Sequence, residues 1–497
     1  MPYSSPYGHC PTSTRPIHLI LLQHLDDSIK INPQKKAFIT ASNPDDFITV
    51  SQLREQSHSV SQFLHNKSFE RQTACTVMNN NHRFYTFFLG VSIQGGRLSD
   101  ELERQLVDCQ CTTILTDNSH LEKVMRVTRD NRRIKTIIVI GAMSGSLPLG
   151  VVSWDEAIST RNDTTRTPVS ISPNDVVLLP YSSGTTGIPK GVMLTHTNFG
   201  TMIAMFMKHN EIVTGNAVDW KKECMLLFLP FYHIYGFGLI CYSIVEGATA
   251  VVMSHFDPQL FFECIQKYRI PSLNLVPPVL VFLAKHPLWA APAGKDICDE
   301  VLRRYKHLEY VEQGYGMTEV SMASHLPDVE SRKKFGCVGK LVAGLEMKII
   351  DITNGKEVPT GKGPTVMHGY FGCPEATKEC IENGWMHTGD IGYVDEEGDL
   401  FIVDRLKELI KVKGLQVAPA ELQDILLSHP RILDAAVIGI PDRNAGELPK
   451  AYVVRADNEL KETQVFDFIK EKVSSYKQLK GGIEFTQALF LQYNASL

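Results

Sequence analysis

Short apolar runs alternate with longer segments of helical pattern through the middle of the chain, and this alternation limits the folds available to it. The runs at 137–140, 176–179, 248–253 and 273–276 are rich in β-branched or aliphatic residues. The segment at 259–266 instead repeats its apolar side chains at helical spacing. Strands and helices in this alternation are typical of layered α/β folds with mostly parallel sheet. The sequence therefore predicts an α/β protein.

The C-terminal part of the chain has a different pattern. Its predicted elements are two amphipathic helices and two strands, at 419–426, 462–472, 435–440 and 451–455. A charged cluster at 404–407 follows the preceding strand and marks a boundary. We therefore predict a large N-terminal domain of layered sheets and helices at 1–403, and a small, mobile C-terminal α+β domain at 404–497.

Composition excludes several classes of protein. Of the 497 residues, 43% are hydrophobic and 21% are charged, as in ordinary globular proteins. The 50 Lys and Arg against 55 Asp and Glu give a formal net charge of −5, so we expect no nucleic-acid partner. The stretch at 224–245 has membrane-like length and no Asp, Glu, Lys or Arg, but it contains Pro230 and His233. We expect buried core there and no transmembrane span, with a span as the lesser alternative.

Cysteine usage and the chain termini bear on the cellular compartment. The eleven cysteines are scattered and lack the paired spacing of a metal site, which is typical of buried thiols in a reducing compartment. The N-terminus lacks the basic region that precedes the apolar run of a secretory signal. The final Ala495-Ser496-Leu497 lacks the basic residue of a Ser-Lys-Leu peroxisomal signal. We expect an intracellular protein, cytoplasmic or peroxisomal, with no clear C-terminal peroxisomal signal.

The most informative segment directly follows the strand predicted at 176–179. It reads Tyr181-Ser182-Ser183-Gly184-Thr185-Thr186-Gly187-Ile188-Pro189-Lys190-Gly191. Its Ser and Thr hydroxyls, exposed amides at glycine and single lysine are the groups that a polyphosphate site needs. A Walker loop does not fit, because Pro189 and Lys190 follow Gly187 in the wrong register. The segment therefore predicts phosphate binding, with a flexible surface loop as the alternative.

This string resembles the phosphate loop of the adenylate-forming superfamily, which includes acyl-CoA synthetases, 4-coumarate–CoA ligases and firefly-type luciferases. Further segments resemble the superfamily's histidine, adenine and magnesium, ribose, and hinge motifs in the expected order, at 229–236, 313–319, 385–390 and 404–417. The resemblance implies the adenylate-forming fold and a reaction in two halves. ATP and a carboxylic acid form an acyl-adenylate and pyrophosphate, and a thiol, usually that of coenzyme A, then displaces AMP.

The resemblance also implies a role for each matching residue. The implied nucleotide-binding residues are Ser182, Ser183, Gly184, Thr185, Thr186, Gly187, Lys190, Ala291, Gln313, Gly314, Tyr315, Thr318, Asp390, Arg405 and Gln416. Among them, Lys190 and Thr318 are implied to contact phosphates during catalysis. His233 is implied to orient the acid's carboxylate, and Glu319 to bind Mg²⁺ as a hard oxygen ligand. Cations and donors suit this reaction because they offset the repulsion between two approaching anions.

For the second half-reaction the superfamily rotates its small domain about a hinge, which the resemblance places at Lys407. Lys411 is implied to bring a catalytic contact to the reacting groups. Lys413 and Gly414 are implied to line the path of coenzyme A, where glycine lets a thin chain run against backbone. A solvated charged turn is the alternative for these lysines.

The acid is specified only by class. Tyr235 and Gly316 are implied to line its pocket, and apolar and aromatic walls suit a hydrophobic carboxylic acid, aromatic or aliphatic. The segment that follows His233 offers no aspartate to pair with a substrate ammonium, which argues against an amino acid as substrate.

The chain departs from the superfamily's pattern at its end and at three internal points. Relatives carry a lysine near the C-terminus that reaches the reacting carboxylate, but here no lysine follows Lys480, and we predict a small domain truncated at its end. Loss of one preorganised donor typically lowers a rate by about 10²–10³. The chain is also short near 97–100, 287–292 and 360–364. Missing strands there predict unpaired sheet edges.

We therefore expect an AMP-forming acid–thiol ligase that uses ATP, Mg²⁺ and coenzyme A on a small-molecule hydrophobic carboxylic acid, with activity reduced by the missing tail lysine. Two alternatives share the same motifs. One is a non-catalytic adenylate-binding or interaction isoform, and the other is a luciferase-like oxidase.

Overall fold

The computed structural model describes residues 3–100, 106, 108–141, 147–182, 189–214, 218–285, 301–302, 309, 311–334, 336–350, 363–406, 409–412, 415–442, 445–470 and 472–487. The chain divides into two compact units. The first comprises Met1–Asn274, Gly314–Val329 and Leu341–His387, and the second comprises Leu275–Gln313, Glu330–Lys340 and Thr388–Leu497. The boundary predicted between residues 403 and 404 falls inside the second unit and stays a prediction. The predicted hinge residue Lys407 lies outside the described residues.

Helices and strands alternate along most of the described chain. The helices are α1 (Ile17–Ile31), α2 (Val50–Asn66), α3 (Arg83–Ile93), α4 (Leu121–Thr128), α5 (Trp154–Ser159), α6 (His196–His209), α7 (Ile234–Val245), α8 (Pro258–Tyr268), α9 (Pro277–Lys285), α10 (Pro374–Cys380), α11 (Pro419–Leu427) and α12 (Glu462–Lys470). The strands are β1 (Tyr3–Ser4), β2 (Lys36–Thr40), β3 (Asn43–Thr49), β4 (Thr73–Val77), β5 (Arg97–Asp100), β6 (Cys111–Asp117), β7 (Thr136–Ile140), β8 (Val151–Ser153), β9 (Val176–Leu179), β10 (Tyr181–Ser182), β11 (Lys190–Thr195), β12 (Cys224–Leu227), β13 (Thr249–Val252), β14 (His325–Leu326), β15 (Lys340–Leu341), β16 (Glu346–Met347), β17 (Gly369–Tyr370), β18 (Ile381–Glu382), β19 (Trp385–Met386), β20 (Asp390–Val394), β21 (Leu400–Arg405), β22 (Ile410–Val412), β23 (Leu415–Val417), β24 (Ile432–Asp442), β25 (Gly446–Arg455) and β26 (Ile483–Thr486).

A nine-stranded sheet dominates the described part of the first unit, in the order β10-β11-β9-β5-β4-β6-β7-β8 with β17 added on β11. The strands from β9 to β8 pair in parallel, and β10, β11 and β17 are antiparallel to their neighbours. The predicted layered α/β fold is therefore confirmed. The apolar runs predicted at 137–140, 176–179 and 248–253 form β7, β9 and β13, and the helical pattern at 259–266 forms α8.

The first internal junction does not leave an unpaired sheet edge. Arg97–Asp100 forms β5, which pairs in parallel with β4 on one side and with β9 on the other. The apolar side chain of Leu98 is buried there. The other two junctions lie wholly or largely outside the described residues.

The uncharged stretch at 224–245 forms β12 and α7. α7 begins at His233, its N-cap residue, and buries most of its side chains, because aromatic rings of neighbouring helices pack against it. The ring of Phe237 makes edge contacts with Phe88 and Phe199, at centroid distances of 4.8 and 5.1 Å. Among the described helices, none has both the length and the apolar character needed to cross a membrane.

The second unit contains a five-stranded sheet, in the order β23-β22-β25-β24 with β26 added on β25. The apolar faces of α11 and α12 pack on this sheet through residues such as Leu422, Leu426, Val465 and Ile469. The two helices and two long strands predicted for this region are present. Strand β26 was not predicted, and it pairs in parallel with β25 from Ala451 onward.

The strand predicted at 273–276 is wrong. These residues form no strand, and they are only partly buried. Helix α9 begins directly afterwards with Pro277 and Pro278, neither of which can donate a backbone hydrogen bond to a neighbouring strand.

Candidate active site

The segment after β9 forms the entry to the predicted phosphate site. The chain runs through β10 and returns as β11, which pairs Ser182 with Lys190 and Tyr181 with Gly191. The pairing therefore brings the Ser182 end of the segment next to Lys190. Its tip, which includes Ser183, Gly184, Thr185, Thr186 and Gly187, lies outside the described residues.

The adenine and magnesium motif folds into a tight turn. Tyr315 and His325 bond to each other through both backbone amides, at 3.0 and 3.1 Å, and Thr318–Val320 forms one 3₁₀ turn between them. Ser321 and Met322 follow with φ of 65° and 128°, a region that is strained for residues with a side chain. The turn buries Thr318 and Glu319 at 7% and 8% exposure.

Gly316 has a packing reason to be glycine. A Cβ atom at this position would overlap the carbonyl of Met322 and lie against the backbone of Ala323. Gly314 has more room, because its nearest neighbour would be a flexible Leu326 methyl at 3.2 Å. The close backbone approach at Gly316 keeps the two sides of the turn together.

The carboxylate of Glu319 is the most constrained acidic group of this site. The hydroxyls of Ser182 and Tyr370 both donate to its Oε1 atom, at 2.7 and 2.8 Å. Its backbone carbonyl accepts from the amide of Met367 at 2.7 Å. The structure thus brings Ser182 of the segment at 181–191 into contact with Glu319 of the segment at 313–319.

Lys190 contacts the ring of Tyr370, whose hydroxyl binds Glu319. Its Nζ atom is 5.2 Å from the centroid of the Tyr370 ring, within the range of a cation–π contact. Burial and the neighbouring carboxylate of Glu319 raise the pKa of the Tyr370 hydroxyl, which therefore stays a hydrogen-bond donor at neutral pH.

The two ring nitrogens of His233 differ in their surroundings. Its Nδ1 atom accepts from the backbone amide of Tyr235 at 3.2 Å and caps α7. The neutral ring then carries its proton on Nε2, where it can donate. Desolvation lowers the pKa of His233 from its ordinary value, although part of the ring is exposed, and burial raises the pKa of Tyr235 to about 12.

In the second unit, Asp390 and Arg405 are register partners at the ends of β20 and β21. Their Oδ1 and Nε atoms are 3.2 Å apart, with the aspartate side chain 7% exposed and the arginine 66% exposed. The Thr388 hydroxyl accepts from the amide of Asp390 at 3.1 Å. This pair presents one carboxylate and one guanidinium side by side.

The hinge motif forms the hairpin of β22 and β23, which pairs Lys411 with Gln416. The backbone amide of Lys411 donates to Glu447 at 2.7 Å, and its side chain is exposed. Lys413, Gly414 and Ala291 lie outside the described residues, as does the side chain of Gln416. Gln313 ends a stretch of the second unit and is partly buried.

The donor set fits a magnesium ion that arrives with a nucleotide. Among the described residues there is no group of three or more His, Cys, Asp or Glu that could hold a metal by itself. Mg²⁺ usually binds one or two carboxylates together with substrate phosphates and water. Glu319 offers such a carboxylate, since none of the described residues donates to its second oxygen, Oε2.

Tyr370 is the residue that the sequence analysis missed. It lies 51 positions from Glu319, on a strand of two residues, so neither spacing nor periodicity relates the two. A Gly-Tyr pair after a short apolar run was the available signal, and it is too common to indicate a site.

Comparison with known proteins identifies the family of this chain. The model of the AMP-binding enzyme family matches residues 25–371, and that of the AMP-binding enzyme C-terminal domain matches residues 421–494. The chain is 35% identical to 4-coumarate–CoA ligase 2 of Nicotiana tabacum and 34% identical to 4-coumarate–CoA ligase 1 of Petroselinum crispum. These alignments cover 94% and 93% of this chain and 90% of each relative. The chain therefore belongs to the AMP-binding enzyme family, the adenylate-forming superfamily that its motifs resemble.

Solved structures agree on the fold. ATP-bound MatB from Rhodopseudomonas palustris superposes with a TM-score of 0.80 at 24% identity, covering 94% of this chain and 95% of that one. The o-succinylbenzoate coenzyme A synthetase MenE from Bacillus subtilis, solved with ATP and magnesium, superposes with a TM-score of 0.77 at 24% identity. That match covers 96% of this chain and 97% of the MenE chain. The fold is the adenylate-forming enzyme fold, with a large N-terminal and a small C-terminal domain.

Proposed function

We propose that this protein is an AMP-forming acid–thiol ligase. It converts a hydrophobic carboxylic acid and ATP into an acyl-adenylate and pyrophosphate, and it then transfers the acyl group to coenzyme A with release of AMP. The observation that carries the proposal is the buried Glu319 carboxylate, bonded to Ser182 of the phosphate segment and one tyrosine ring away from Lys190. The identity with 4-coumarate–CoA ligases supports coenzyme A as the acceptor.

Adenylate formation needs charge compensation, since a carboxylate must attack a phosphate. Lys190 and the donors of the phosphate segment bind the β- and γ-phosphates, and Thr318 donates to the α-phosphate. Magnesium bound with ATP supplies further charge compensation, with Glu319 as its protein ligand. The neutral His233 ring lies between the acid's carboxylate and the α-phosphate, donates from Nε2 and orients the carboxylate for attack.

The remaining nucleotide contacts hold the sugar and base. Asp390 accepts from the ribose hydroxyls, and Arg405 binds beside it. Tyr315 contacts the nucleotide, and the neighbouring Gly316 lines the pocket of the acid. In the second half-reaction, a small domain at 404–497 turns about Lys407 and presents Lys411, with coenzyme A entering along Lys413 and Gly414.

Tyr235 supports the choice of a hydrophobic acid. Its hydroxyl lies in a buried environment in the first turn of α7, next to His233. The names of the relatives make 4-coumarate the first aromatic acid to test. We propose an aromatic or aliphatic acid without a charged amino group.

A panel of aromatic and aliphatic acids tests this function. AMP release is measured for each acid with ATP and Mg²⁺, with and without coenzyme A. We expect at least one acid to give release that increases with coenzyme A and yields an acyl-CoA. A folded sample that binds ATP but turns over none of the acids would contradict the proposal.

A second candidate is an adenylate-binding protein without complete turnover. It is favoured by one observation, namely that residues 481–497 contain no lysine to reach the reacting carboxylate. Supplying a synthetic acyl-adenylate with coenzyme A separates the two candidates, because thioester formation does not require that lysine. A slow first half-reaction with a normal second one identifies an impaired ligase, and loss of both identifies the binding protein.

A further inference from the structure

Tyr370 is fixed by the strand that carries it. In β17 it pairs with Val192 of β11, the strand that begins at Lys190. The amides of His368 and Phe371 on either side donate to carbonyls of β11 at 2.9 and 2.8 Å. The amide of Tyr370 itself donates to the Thr377 hydroxyl at 2.9 Å, and the side chain is 8% exposed. The backbone therefore leaves this ring little freedom to move.

The Tyr370 hydroxyl reaches a specific atom of Glu319. It shares Oε1 with the Ser182 hydroxyl, while the second oxygen, Oε2, accepts from none of the described residues. Two donors on one oxygen fix the rotation of a carboxylate about its last bond. The same arrangement aims Oε2 away from both donors and leaves it able to bind a cation.

The ring also separates two opposite charges. The Lys190 ammonium lies over its face, while the Glu319 carboxylate lies at its hydroxyl edge, and no ion pair joins the two residues. Without the tyrosine hydroxyl only Ser182 still holds Oε1, and the carboxylate can turn toward the lysine more easily. An ion pair formed in that way would withdraw both groups from a bound metal and its phosphates.

We propose that Tyr370 is a positioning residue that holds Glu319 for magnesium and keeps it apart from Lys190. The proposal rests on the proposed function for the roles of Glu319 and Lys190. Hydrogen-bond partners behind a metal ligand commonly change metal affinity by about 10–100-fold when they are removed.

The test measures binding of ATP to the full chain by calorimetry, with and without Mg²⁺ and without acid or coenzyme A. We expect Mg²⁺ to tighten ATP binding to the wild-type chain. In Tyr370→Phe this tightening falls by about tenfold or more, while the affinity for metal-free ATP is kept. Tyr242→Phe is the matched control, because it removes a partly buried tyrosine hydroxyl of the same unit, one that accepts from Asn210, and should leave both affinities unchanged.

A double-mutant cycle identifies the path of the effect. If Tyr370 acts through Glu319, then Tyr370→Phe adds nothing to Glu319→Gln. Ser182→Ala, which removes the other donor to Oε1, should lower the magnesium effect in the same direction and provides a second variant if Tyr370→Phe folds poorly.

Three results would overturn the proposal. An unchanged magnesium effect in Tyr370→Phe, beside a normal wild-type response, removes only the role of Tyr370. An equal loss of ATP affinity with and without Mg²⁺ indicates general damage to the site. If Mg²⁺ does not affect ATP binding to the wild-type chain, the metal role within the proposed function is itself wrong, and the positioning role with it.

Discussion

The Nζ atom of Lys334 lies 2.5 Å from Oδ2 of Asp399, whose side chain is completely buried. Asp395 and Glu397 lie around the same ammonium at 2.6 and 3.3 Å. The hydrogen bonds that the Lys334 ammonium donates to these carboxylates raise its pKa. The residues link the 3₁₀ turn at Ser331–Lys333 to the hairpin of β20 and β21 within the second unit.

We predict that Lys334→Met lowers the melting temperature by several degrees, because it leaves the buried Asp399 carboxylate without its main cation. Lys340, 4.0 Å from Asp399, compensates only in part. Differential scanning calorimetry measures the change. The control is Lys333→Met, whose exposed pair with Glu330 contributes at most about 1 kcal/mol. Equal melting temperatures for the two variants would contradict the prediction.

The rings of His18 and His196 predict that the protein is sensitive to acid. Their centroids are 5.8 Å apart, and burial lowers the pKa of His18 to about 3 and that of His196 to about 4, from 6.5. The unfolded chain takes up protons near pH 6.5, while the folded chain keeps both rings neutral. The free energy of unfolding is therefore retained above pH 6.5 and falls below it, by about 2 kcal/mol for each ring at about pH 5.

Urea unfolding followed by tryptophan fluorescence at a series of pH values measures this dependence. His18→Gln and His196→Gln should each make the free energy of unfolding less dependent on pH between about pH 7 and pH 5. His255→Gln changes an exposed histidine and should keep the wild-type slope. A slope that is the same in all variants would mean that other groups cause the acid sensitivity.

The fold could be predicted further than the site. β9 and α8 were predictable because β-branched runs and helical spacing report local structure, and both lie where the pattern placed them. The run at 273–276 is also rich in aliphatic residues, but whether such a run forms a strand depends on partner strands, which a local pattern does not contain. Ser182, Lys190 and Glu319 were selected from their motifs, and the structure brings them together around Tyr370. Tyr370 was not selected, because only the pairing of β17 with β11 brings it to these residues.

Gly316→Ala should destabilise the turn that joins Tyr315 to His325. The added Cβ atom overlaps the Met322 carbonyl, so the bonds between Tyr315 and His325 must lengthen or break. We expect a loss of about 1–3 kcal/mol in the free energy of unfolding, as for other overpacked sites. Gly314→Ala is the control, since a flexible Leu326 methyl can move aside. If Gly316→Ala unfolds no more easily than Gly314→Ala, the close approach does not matter for stability.

His233 allows its two roles to be separated. His233→Ala removes both the cap of α7 and the Nε2 donor, so it should lower the free energy of unfolding by about 1 kcal/mol. It should also slow adenylate formation by about 10²–10³. His233→Asn keeps a capping side chain and should recover stability but not rate, because its amide cannot reach the position of Nε2.

Adenylate formation in this series is measured as pyrophosphate exchange with a saturating acid. In the wild-type chain desolvation lowers the pKa of His233, so the exchange rate should begin to fall at a lower pH than it would for a histidine of ordinary pKa. In the His233→Asn variant the exchange rate should not show this fall at acidic pH, because asparagine does not titrate. If the rate recovers together with stability in His233→Asn, the residue acts only as a cap, and the donor at Nε2 has no part in the reaction.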